Sequence, residues 1–557
     1  MSKAGSALRY LLVSLIFGMF SIGCSEHHNE QNNSGITPDE LSLPEQPNIV
    51  WLVVEDLSPY LPSFGDSTVR TPNLSRLAKE GICYDRFFAS APVCAPARAS
   101  IATGMYPTHI AAGHMRTGGN PKYFPEGVTP YEAMPPAGVK MMSEWLRRQG
   151  YYCTNNSKED YQFQKTVTAW DESSKQAHWR NRASEQPFFS IFNFTVTHES
   201  QIWAKSEDSL MVDPRLPVDV PPYLPDTEIG RNDVRRMYSN IVEMDRQVGE
   251  ILDQLEEDGL LEETIIFWYS DHGGPLPRQK RLLYDSGLHV PMIIRFPNKQ
   301  HAGTRNREML SFIDLAPTAL SLAGIAPKKY MDGIDFLGEY KPAESKKYIH
   351  AAADRFDAAY DKNRAVRDQR YKYIKYYEPE KPMFLHVKYR DQMPIMQELY
   401  RLRDAQKLTP AQALWFRDHK PTIEFFDTEN DPHEINNVAN DPAHAEKIEE
   451  LSKECDRWLK AINDTGLREE SALIESLWPN GKQPKVEEPD IKHTATEITL
   501  DCNTPGASIG YGWVSDKGQL PEIWQIYDGP MEINEGLTLV ARADRIGYIP
   551  SNAVYLK

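Results

Sequence analysis

The chain has 557 residues, and the usual domain size of about 100–200 residues predicts two to four folding units. Its 62 Lys and Arg against 79 Asp and Glu give a formal net charge of −17, which argues against the basic footprint of a nucleic-acid-binding protein. Hydrophobic residues at 40% are ordinary for a globular chain, and six cysteines are too few for a disulfide scaffold. An anionic substrate would therefore need a local positive site.

The first 24 residues have the pattern of an export signal. Lys3 and Arg9 precede an apolar run over residues 11–20, which is too short to span a bilayer as a helix. The Gly-Cys junction that follows resembles the lipobox of bacterial lipoproteins, in which Cys24 becomes the lipidated N-terminus, with simple secretion as the alternative. Residues 25–46 then predict a flexible tether. We expect an exported protein that is held by a lipid anchor in a bacterial outer membrane.

The globular part begins at residue 47. Residues 48–54, 264–270 and 290–296 are apolar runs typical of buried strands. Helical patterns lie between them, one opened by Pro72 and stopped by Gly81 and another over residues 234–255. Strands that alternate with helices predict an α/β catalytic domain over residues 47–345, with a large, mostly parallel sheet sandwiched by helices.

The remainder of the chain changes in character. Residues 346–480 are charged and aromatic, consistent with a smaller α+β subdomain, and end in a helical pattern over residues 442–463. A linker rich in Pro, Lys and Glu follows over residues 479–492. Short alternating runs separated by turn residues then predict a small antiparallel β domain over residues 493–557.

Acidic residues follow two of the predicted strands. Glu55 and Asp56 come directly after the first strand, and Asp271 and His272 come after the strand at 264–270. Chemistry in α/β sheets lies at the carboxyl ends of strands, so these side chains are expected to meet. Carboxylates suit Ca²⁺ or Mg²⁺, whereas the imidazole of His272 suits softer metals.

The segment Cys94-Ala95-Pro96-Ala97-Arg98 is the most specific feature. A cysteine in such a loop could be an inert buried thiol or a nucleophile whose pKa a nearby arginine lowers. The Cys-x-Pro-x-Arg spacing resembles the motif of the formylglycine-dependent sulfatases, in the alkaline-phosphatase-like superfamily. Further segments resemble the family in the same order, namely Gly150-Tyr151 with Lys158, Thr197-His198, Lys280 with Tyr284–Pro291, and Phe425–Glu434.

The resemblance implies an alkaline-phosphatase-like fold and a role for each matching residue. Cys94 would be oxidised to formylglycine by a separate maturation enzyme, and Arg98 would hold it in place. Lys158 and Lys280 would bind the sulfate group, and His198 would be the general acid. The implied metal is Ca²⁺ rather than Mg²⁺, with the ligands Glu55, Asp56, modified Cys94, Asp271 and His272.

Several nearby residues are candidates for substrate contact. Asp160 stands where the family often has a second histidine, and it would contact substrate or anchor Lys158. His289 lies within the Tyr284–Pro291 segment. His109 and His114 follow the Cys94 motif and would contact substrate or simply pack.

Within the family, the sequence resembles bacterial lipoprotein sulfatases related to heparan N-sulfatases. This resemblance implies that the substrate is a sulfated polysaccharide or its oligosaccharides. The polysaccharide would be an algal glycan such as ulvan or a glycosaminoglycan. Three alternatives stay open: a heparan-type N-sulfatase, a phosphonate or phosphate monoester hydrolase of the same superfamily, and a non-enzymatic glycan-binding lipoprotein. The last sixty residues resemble the small C-terminal β module of some chitobiases.

Overall fold

The structure is a computed structural model that describes residues 41–118 and 124–556, all within a compact unit spanning residues 35–557. The predicted signal, the lipidation site Cys24 and most of the predicted tether lie outside the described residues. In the described part of the chain, no helix is both long and apolar enough to cross a bilayer.

A nine-stranded sheet forms the centre of the molecule. Its strands in chain order are β1 (Asn48–Val54), β2 (Ile82–Phe88), β3 (Tyr152–Asn156), β4 (Glu172–Ser173), β5 (Phe188–Phe194), β6 (Thr264–Ser270), β7 (His289–Arg295), β8 (Thr304–Asn306) and β9 (Leu310–Ser311). Their spatial order is β4-β3-β5-β1-β6-β7-β2-β8, with β9 also paired to β2. Among these strands only β7 runs antiparallel to its neighbours, so the predicted mixed, mostly parallel sheet is confirmed.

Seven helices accompany this sheet in the described sequence. They are α1 (Pro72–Glu80), α2 (Cys94–Thr103), α3 (Met142–Arg148), α4 (Ser200–Ala204), α5 (Glu228–Glu257), α6 (Asp285–Leu288) and α7 (Leu315–Leu322). The predicted helix between Pro72 and Gly81 is confirmed as α1. The Asp245 carboxylate on α5 accepts hydrogen bonds from the backbone N–H groups of Asn73 and Leu74, which satisfies the first donors of α1 and docks the two helices together.

Aromatic side chains fill the centre of the sheet. Trp51 on β1 is fully buried, and its ring centroid lies 5.0 Å from that of Phe189, 5.8 Å from Phe267 and 5.7 Å from Tyr269. These partners lie on the two strands that flank β1. Edge-to-face packing of this kind adds about 0.5–1.5 kcal/mol per pair beyond the area buried. The strands that carry the acidic residues at their ends are therefore held in a rigid register.

A second sheet follows, composed of β10 (Ile349–Ala353), β11 (Asn363–Arg367), β12 (Tyr371–Tyr376) and β13 (Ile423–Asp427), which pair antiparallel in that order. Its helices are α8 (Pro394–Asp404), α9 (Pro410–Ala413), α10 (Ala445–Ala461) and α11 (Glu470–Leu477). The helical pattern at 442–463 therefore forms α10, preceded by a single 3-10 turn at Pro442–His444.

The last part of the chain folds into two small antiparallel sheets. One contains β14 (Asp490–His493), β15 (Glu497–Asp501) and β18 (Met531–Glu532); the other contains β16 (Ser508–Val514), β17 (Gln525–Ile526), β19 (Thr538–Asp544) and β20 (Val554–Leu556). We call residues 490–556 the terminal β module. It begins within the predicted linker, because β14 pairs with β15.

The terminal β module packs against α3. The Ser508 hydroxyl donates to the buried carboxylate of Glu144 at 2.5 Å, and the Lys140 ammonium contacts the same hydroxyl. Arg147 on α3 donates to the Trp524 carbonyl at 2.6 Å. The module is thus hydrogen-bonded to the segment that leads to β3 and Lys158.

The sequence left open whether Cys83, Cys153, Cys455 and Cys502 form disulfides. All four are free thiols in the structure, and the first three are buried. Burial raises the pKa of Cys83 to about 11 and that of Cys455 to about 12, so these thiols stay protonated and behave as small apolar side chains.

Candidate active site

The candidate site forms where the carboxyl ends of three adjacent strands meet, as the sequence predicts. β1 lies between β5 and β6, so Glu55 and Asp56 fall beside Asp271. The backbone N–H of Asp271 donates to the Val54 carbonyl at 2.9 Å, and that of Asp56 donates to the Asp271 carboxylate at 3.2 Å. All three carboxylates are at most 2% exposed. Three buried acids at one point require compensating positive charge.

Cys94 faces these acids from the start of α2. It is the first residue of the helix and only 3% exposed, so its thiol lies at the positive end of the helix dipole. Burial disfavours the thiolate, but the nearby Lys280 and Lys158 ammonium groups outweigh burial and hold the pKa of Cys94 well below its usual value. The site therefore stabilises negative charge on the atom attached to the Cys94 β-carbon.

Arg98 lies one turn further along α2 and links the site together. Its Nε donates to the Asp271 carboxylate at 3.0 Å, and its Nη1 donates to the Asn193 side-chain oxygen at 2.6 Å. Its Nη2 lies 3.9 Å from Glu55 Oε1. The guanidinium thereby fixes α2, and with it Cys94, against the ends of β1, β5 and β6.

Two lysines supply most of the remaining positive charge. The Lys158 ammonium lies 2.6 Å from Glu55 Oε1, and the Lys280 ammonium lies 2.8 and 3.1 Å from the two oxygens of Asp56. Burial opposes the charge on Lys280, but Asp56 and Cys94 outweigh it and raise the pKa of Lys280 well above its usual value. Both lysines remain cations and flank Cys94 as point charges.

Two histidines complete the cluster. His198 Nδ1 lies 2.8 Å from the Ser200 hydroxyl, which leaves Nε2 directed into the site, 3.3 Å from the Lys280 ammonium. His272 Nε2 lies 3.0 Å from Asp56 Oδ1, and Nδ1 donates to the Gly273 carbonyl at 2.9 Å. Burial alone would lower the pKa of His272, but Asp56 and Asp271 raise it to about 10.

The donor set fits a divalent cation. The ligand atoms of Cys94, Asp271 and His272 all lie within 4.8 Å of one another, as do those of Asp56, Cys94 and His198. The carboxylates of Asp56 and Asp271 favour positive charge at this point so strongly that they raise the pKa of His272. Buried carboxylate oxygens around one point are the ligands that hard divalent cations prefer.

Gly273 allows the chain to close tightly behind the cluster. A β-carbon at this position would lie 2.3 Å from the Ser286 carbonyl oxygen, so no larger residue fits without moving the backbone. The Gly273 N–H donates to the Gly287 carbonyl at 2.9 Å, which fixes the loop after β6 to α6.

The four additional candidates have different surroundings. Asp160 Oδ2 lies 3.8 Å from the Lys158 ammonium, at the edge of the cluster. His109 pairs with Asp332 at 3.0 Å, and His289 stacks on Phe88.

None of the contacts described for His109, His289 or His114 joins it to the acid cluster. His289 Nε2 also lies 2.8 Å from the Asp85 carbonyl. His114 is buried and accepts a hydrogen bond from the Arg355 backbone. For these three histidines the structure shows packing and hydrogen-bonding partners in place of a position at the cluster.

Asn193, Glu199 and Arg281 are residues of the site that were not predicted from the sequence. Asn193 and Ser190 are the two polar residues in the otherwise apolar β5, and Asn193, next to the last residue of the strand, was a usable signal. Glu199 follows His198 and forms two hydrogen bonds with Arg281, at 2.8 and 2.6 Å. Both are buried, and neither has a local pattern that distinguishes it from a surface charge.

An open cleft of about 280 Å³ leads from solvent to the cluster. It is lined by polar side chains, namely Glu55, Ser157, Lys158, Asn193, Thr195, His198, Ser200 and Gln201. A small anionic group can therefore reach both Lys158 and His198 from outside.

Comparison with known proteins shows the family of this chain. The Sulfatase family model matches residues 47–325, and the model for the C-terminal part of N-sulphoglucosamine sulphohydrolase matches residues 278–414. An ulvan-active sulfatase of Formosa agariphila is 50% identical over 98% of this chain and 97% of its own. Human N-sulphoglucosamine sulphohydrolase is 23% identical over 78% of this chain and 94% of its own.

Solved structures agree on the fold. A protein in complex with its substrate D-glucosamine-2-N,6-O-disulfate superposes with a TM-score of 0.55 at 17% identity, covering 76% of this chain and 100% of its own. A phosphonate monoester hydrolase from Silicibacter pomeroyi superposes with a TM-score of 0.51 at 17% identity, covering 76% of this chain and 97% of its own. The family generally uses formylglycine and a divalent metal. This chain belongs to the sulfatase family and is a sulfuric ester hydrolase.

Proposed function

We propose that this enzyme hydrolyses sulfate esters of ulvan or of its oligosaccharides. The observation that carries the proposal is the 50% identity to an ulvan-active sulfatase over nearly the full length of both chains. The match covers nearly the whole of both chains, so it includes the loops that surround the cleft. The open cleft beside Lys158 and His198 supports access by a sulfate group that is attached to a larger molecule.

We further propose that Cys94 is converted to formylglycine by a separate maturation enzyme. The Cys94 thiol in the structure stands in for the hydrated aldehyde, which supplies a nucleophilic oxygen and a second hydroxyl through which sulfate is expelled. Lys158 and Lys280 flank this position and lower the cost of negative charge there. Arg98 fixes the start of α2 through Asp271, so the nucleophile is held in a single orientation.

The proposed metal is Ca²⁺ rather than Mg²⁺. Glu55, Asp56, Asp271 and His272, together with residue 94, would hold it, and the ion would polarise the sulfate ester. Glu55 and Asp56 follow β1 and Asp271 follows β6, so several carboxylates would surround the ion. A ligand set supplied mostly by protein oxygens favours Ca²⁺, because Mg²⁺ usually keeps several waters and binds through one or two carboxylates.

The leaving oxygen needs a proton, and His198 is placed to supply it. Its Nδ1 is bound to the Ser200 hydroxyl, so Nε2 is the nitrogen directed toward the cluster. Burial and Lys280 disfavour the imidazolium, yet Asp56 and Cys94 raise the pKa of His198 overall. This raised pKa favours the protonated imidazole that a general acid needs.

A second candidate is hydrolysis of N-linked sulfate. It is favoured by the match of residues 278–414 to the C-terminal part of N-sulphoglucosamine sulphohydrolase. The two candidates differ in the leaving atom, which is oxygen in an ester and nitrogen in a sulfamate.

Sulfate release from defined substrates tests these assignments. Protein co-expressed with a maturation enzyme is first checked by mass spectrometry for formylglycine at residue 94. It is then incubated with ulvan oligosaccharides, N-sulfated glucosamine and a phosphonate monoester, with Cys94→Ala as the blank. We expect fastest turnover of the ulvan oligosaccharides. Faster cleavage of N-sulfated glucosamine or of the phosphonate would overturn the proposal.

We also propose export and lipid anchoring through Cys24. The apolar run and the Gly-Cys junction support this, and so does the polar stretch that would separate the anchor from the folded unit. We place the protein at the bacterial outer membrane. Partition of the wild type into detergent, and of Cys24→Ala into the aqueous phase, is the expected result. Equal partition of both would exclude an anchor at Cys24.

A further inference from the structure

Two aromatic side chains from distant parts of the chain meet beside the catalytic histidine. Trp203 lies on α4, five residues after His198, and Tyr389 lies five residues before α8. Their ring centroids are 5.1 Å apart at 80°, and the Tyr389 ring lies 6.3 Å from the His198 ring. Both aromatic residues are only partly buried. The pair lies beside His198, which lines the cleft, and we call it the aromatic wall.

Buried neighbours fix the chain next to each member of the aromatic wall. On α4, Ile202 is 1% exposed, and Glu199 just before the helix is fixed by Arg281. Next to Tyr389, Arg390 is buried, with its guanidinium carbon 4.7 Å from the Trp415 ring centroid. The aromatic wall is therefore formed in the folded protein, and substrate binding does not have to order the chain at this point.

Polar groups lie beside the aromatic wall on the same short helix. Ser200 and Gln201 line the cleft that leads to Lys158 and His198, and Trp203 follows them on α4. An aromatic surface next to a few polar groups matches the two sides of a pyranose ring, which has apolar C–H faces and a polar hydroxyl edge. Binding sites for small molecules commonly combine apolar walls with a few such groups.

We propose that Trp203 and Tyr389 form a subsite for a sugar ring of the substrate, with Ser200 and Gln201 binding its hydroxyl groups. The sugar is the one that adjoins the sulfated unit, because His198, which contacts the leaving oxygen, stands between the wall and the catalytic cluster. This inference rests on the proposed function. It makes the enzyme selective for an oligosaccharide over a minimal sulfate ester.

The test compares two substrates on the same variants. For Trp203→Ala and Tyr389→Ala, kcat/KM is measured on a sulfated oligosaccharide of the substrate polymer and on 4-nitrophenyl sulfate. We expect the ratio of the first to the second to fall about tenfold or more, chiefly through KM, because buried aromatic contacts dominate binding interfaces. Tyr340→Ala serves as the matched control, since Tyr340 is an exposed tyrosine outside the site, and its ratio should match that of the wild type.

A binding measurement separates this inference from the proposed function. The oligosaccharide is titrated by calorimetry into Cys94→Ala and into the same variant carrying Trp203→Ala. About tenfold weaker binding in the double variant supports the subsite even if the wild type releases no sulfate from this polymer, in which case only the proposed function fails. Unchanged binding, or an unchanged ratio of kcat/KM, overturns the subsite.

Discussion

Glu199 holds its carboxylate 3.2 Å from the Lys280 ammonium. The same carboxylate forms two hydrogen bonds with Arg281, whose backbone N–H donates to the Pro92 carbonyl at 2.8 Å. Glu199 therefore links the loop after β5, the loop after β6 and the loop before Cys94. We infer that Glu199 is a positioning residue that keeps Lys280 against Asp56.

Replacing this carboxylate tests the linkage. Glu199→Gln keeps the shape of the side chain but removes the charge that Lys280 and Arg281 share. We expect kcat/KM for the sulfated substrate to fall by about 10–100-fold, the usual effect of losing a group that orients a ligand. The variant should also lose stability, since breaking a buried ion pair costs about 3–5 kcal/mol.

A distant ion pair separates the two effects. Glu470 is also buried and forms two hydrogen bonds with Arg355, at 2.8 and 2.7 Å, away from the catalytic cluster. Glu470→Gln should lower the melting temperature similarly and leave kcat/KM unchanged when both are assayed well below their melting temperatures. Equal losses of activity in the two variants would show that Glu199 acts only through stability.

The metal site predicts a selective response to added ion. A ligand that binds only the native state adds about 2.7 kcal/mol of stability at a hundredfold excess over its dissociation constant. Because the proposed site prefers Ca²⁺, Ca²⁺ should raise the melting temperature of the wild type more than Mg²⁺ does at the same concentration. Asp271→Asn should lose most of this gain, since Asp271 lies within the ligand cluster.

Asp332→Asn is the control for this measurement, because Asp332 pairs with His109 outside the acid cluster. It should retain the full response to Ca²⁺. A response in Asp271→Asn as large as that of the wild type would remove Asp271 from the ligand set.

The sequence predicted the centre of the site well because local pattern and position coincide there. The apolar runs predicted β1 and β6. The acids at their ends were expected to lie close together, because parallel strands end at the same edge of a sheet. The antiparallel direction of β7 was not predicted. Its apolar run is the same in either direction, and the connection from β6, residues 271–288, is long enough for a parallel or an antiparallel return.

The periphery of the site could not be predicted from local pattern. Glu199 with Arg281, and Trp203 with Tyr389, are joined by contacts between residues far apart in the chain. Conversely, His289 was placed near substrate because it lies within a motif, yet its ring stacks on Phe88 and binds a backbone carbonyl. Position within a motif does not determine which way a side chain points.

A buried acid far from the site predicts a pH dependence of stability. Burial raises the pKa of Asp233 to about 7, although its carboxylate accepts a hydrogen bond from the Ile395 N–H at 2.7 Å. The native state therefore keeps a proton that the unfolded state, with a carboxyl pKa of about 3.9, has lost. Stability from this group is full below the unfolded pKa and falls as pH rises toward 7.

Asp233→Asn should remove this dependence while keeping an acceptor for Ile395. We expect the free energy of unfolding of the variant, relative to the wild type, to increase between about pH 5 and about pH 8 in urea titrations. Asp226→Asn, at an exposed position, should show no such trend. A parallel pH profile for wild type and Asp233→Asn would contradict the raised pKa.

The contact between the terminal β module and the segment before α3 can be tested with two glycines. Gly506 and Gly518 both have positive φ, 76° and 103°, so alanine is strained at either position by about 1–3 kcal/mol. A β-carbon on Gly506 would lie 2.3 Å from the Gly138 nitrogen, whereas one on Gly518 would meet nothing within 4 Å. Gly506→Ala should therefore lower the free energy of unfolding by more than Gly518→Ala does. Equal losses in urea titrations would mean that the module moves away from Gly138 at little cost and does not brace the segment that leads to Lys158.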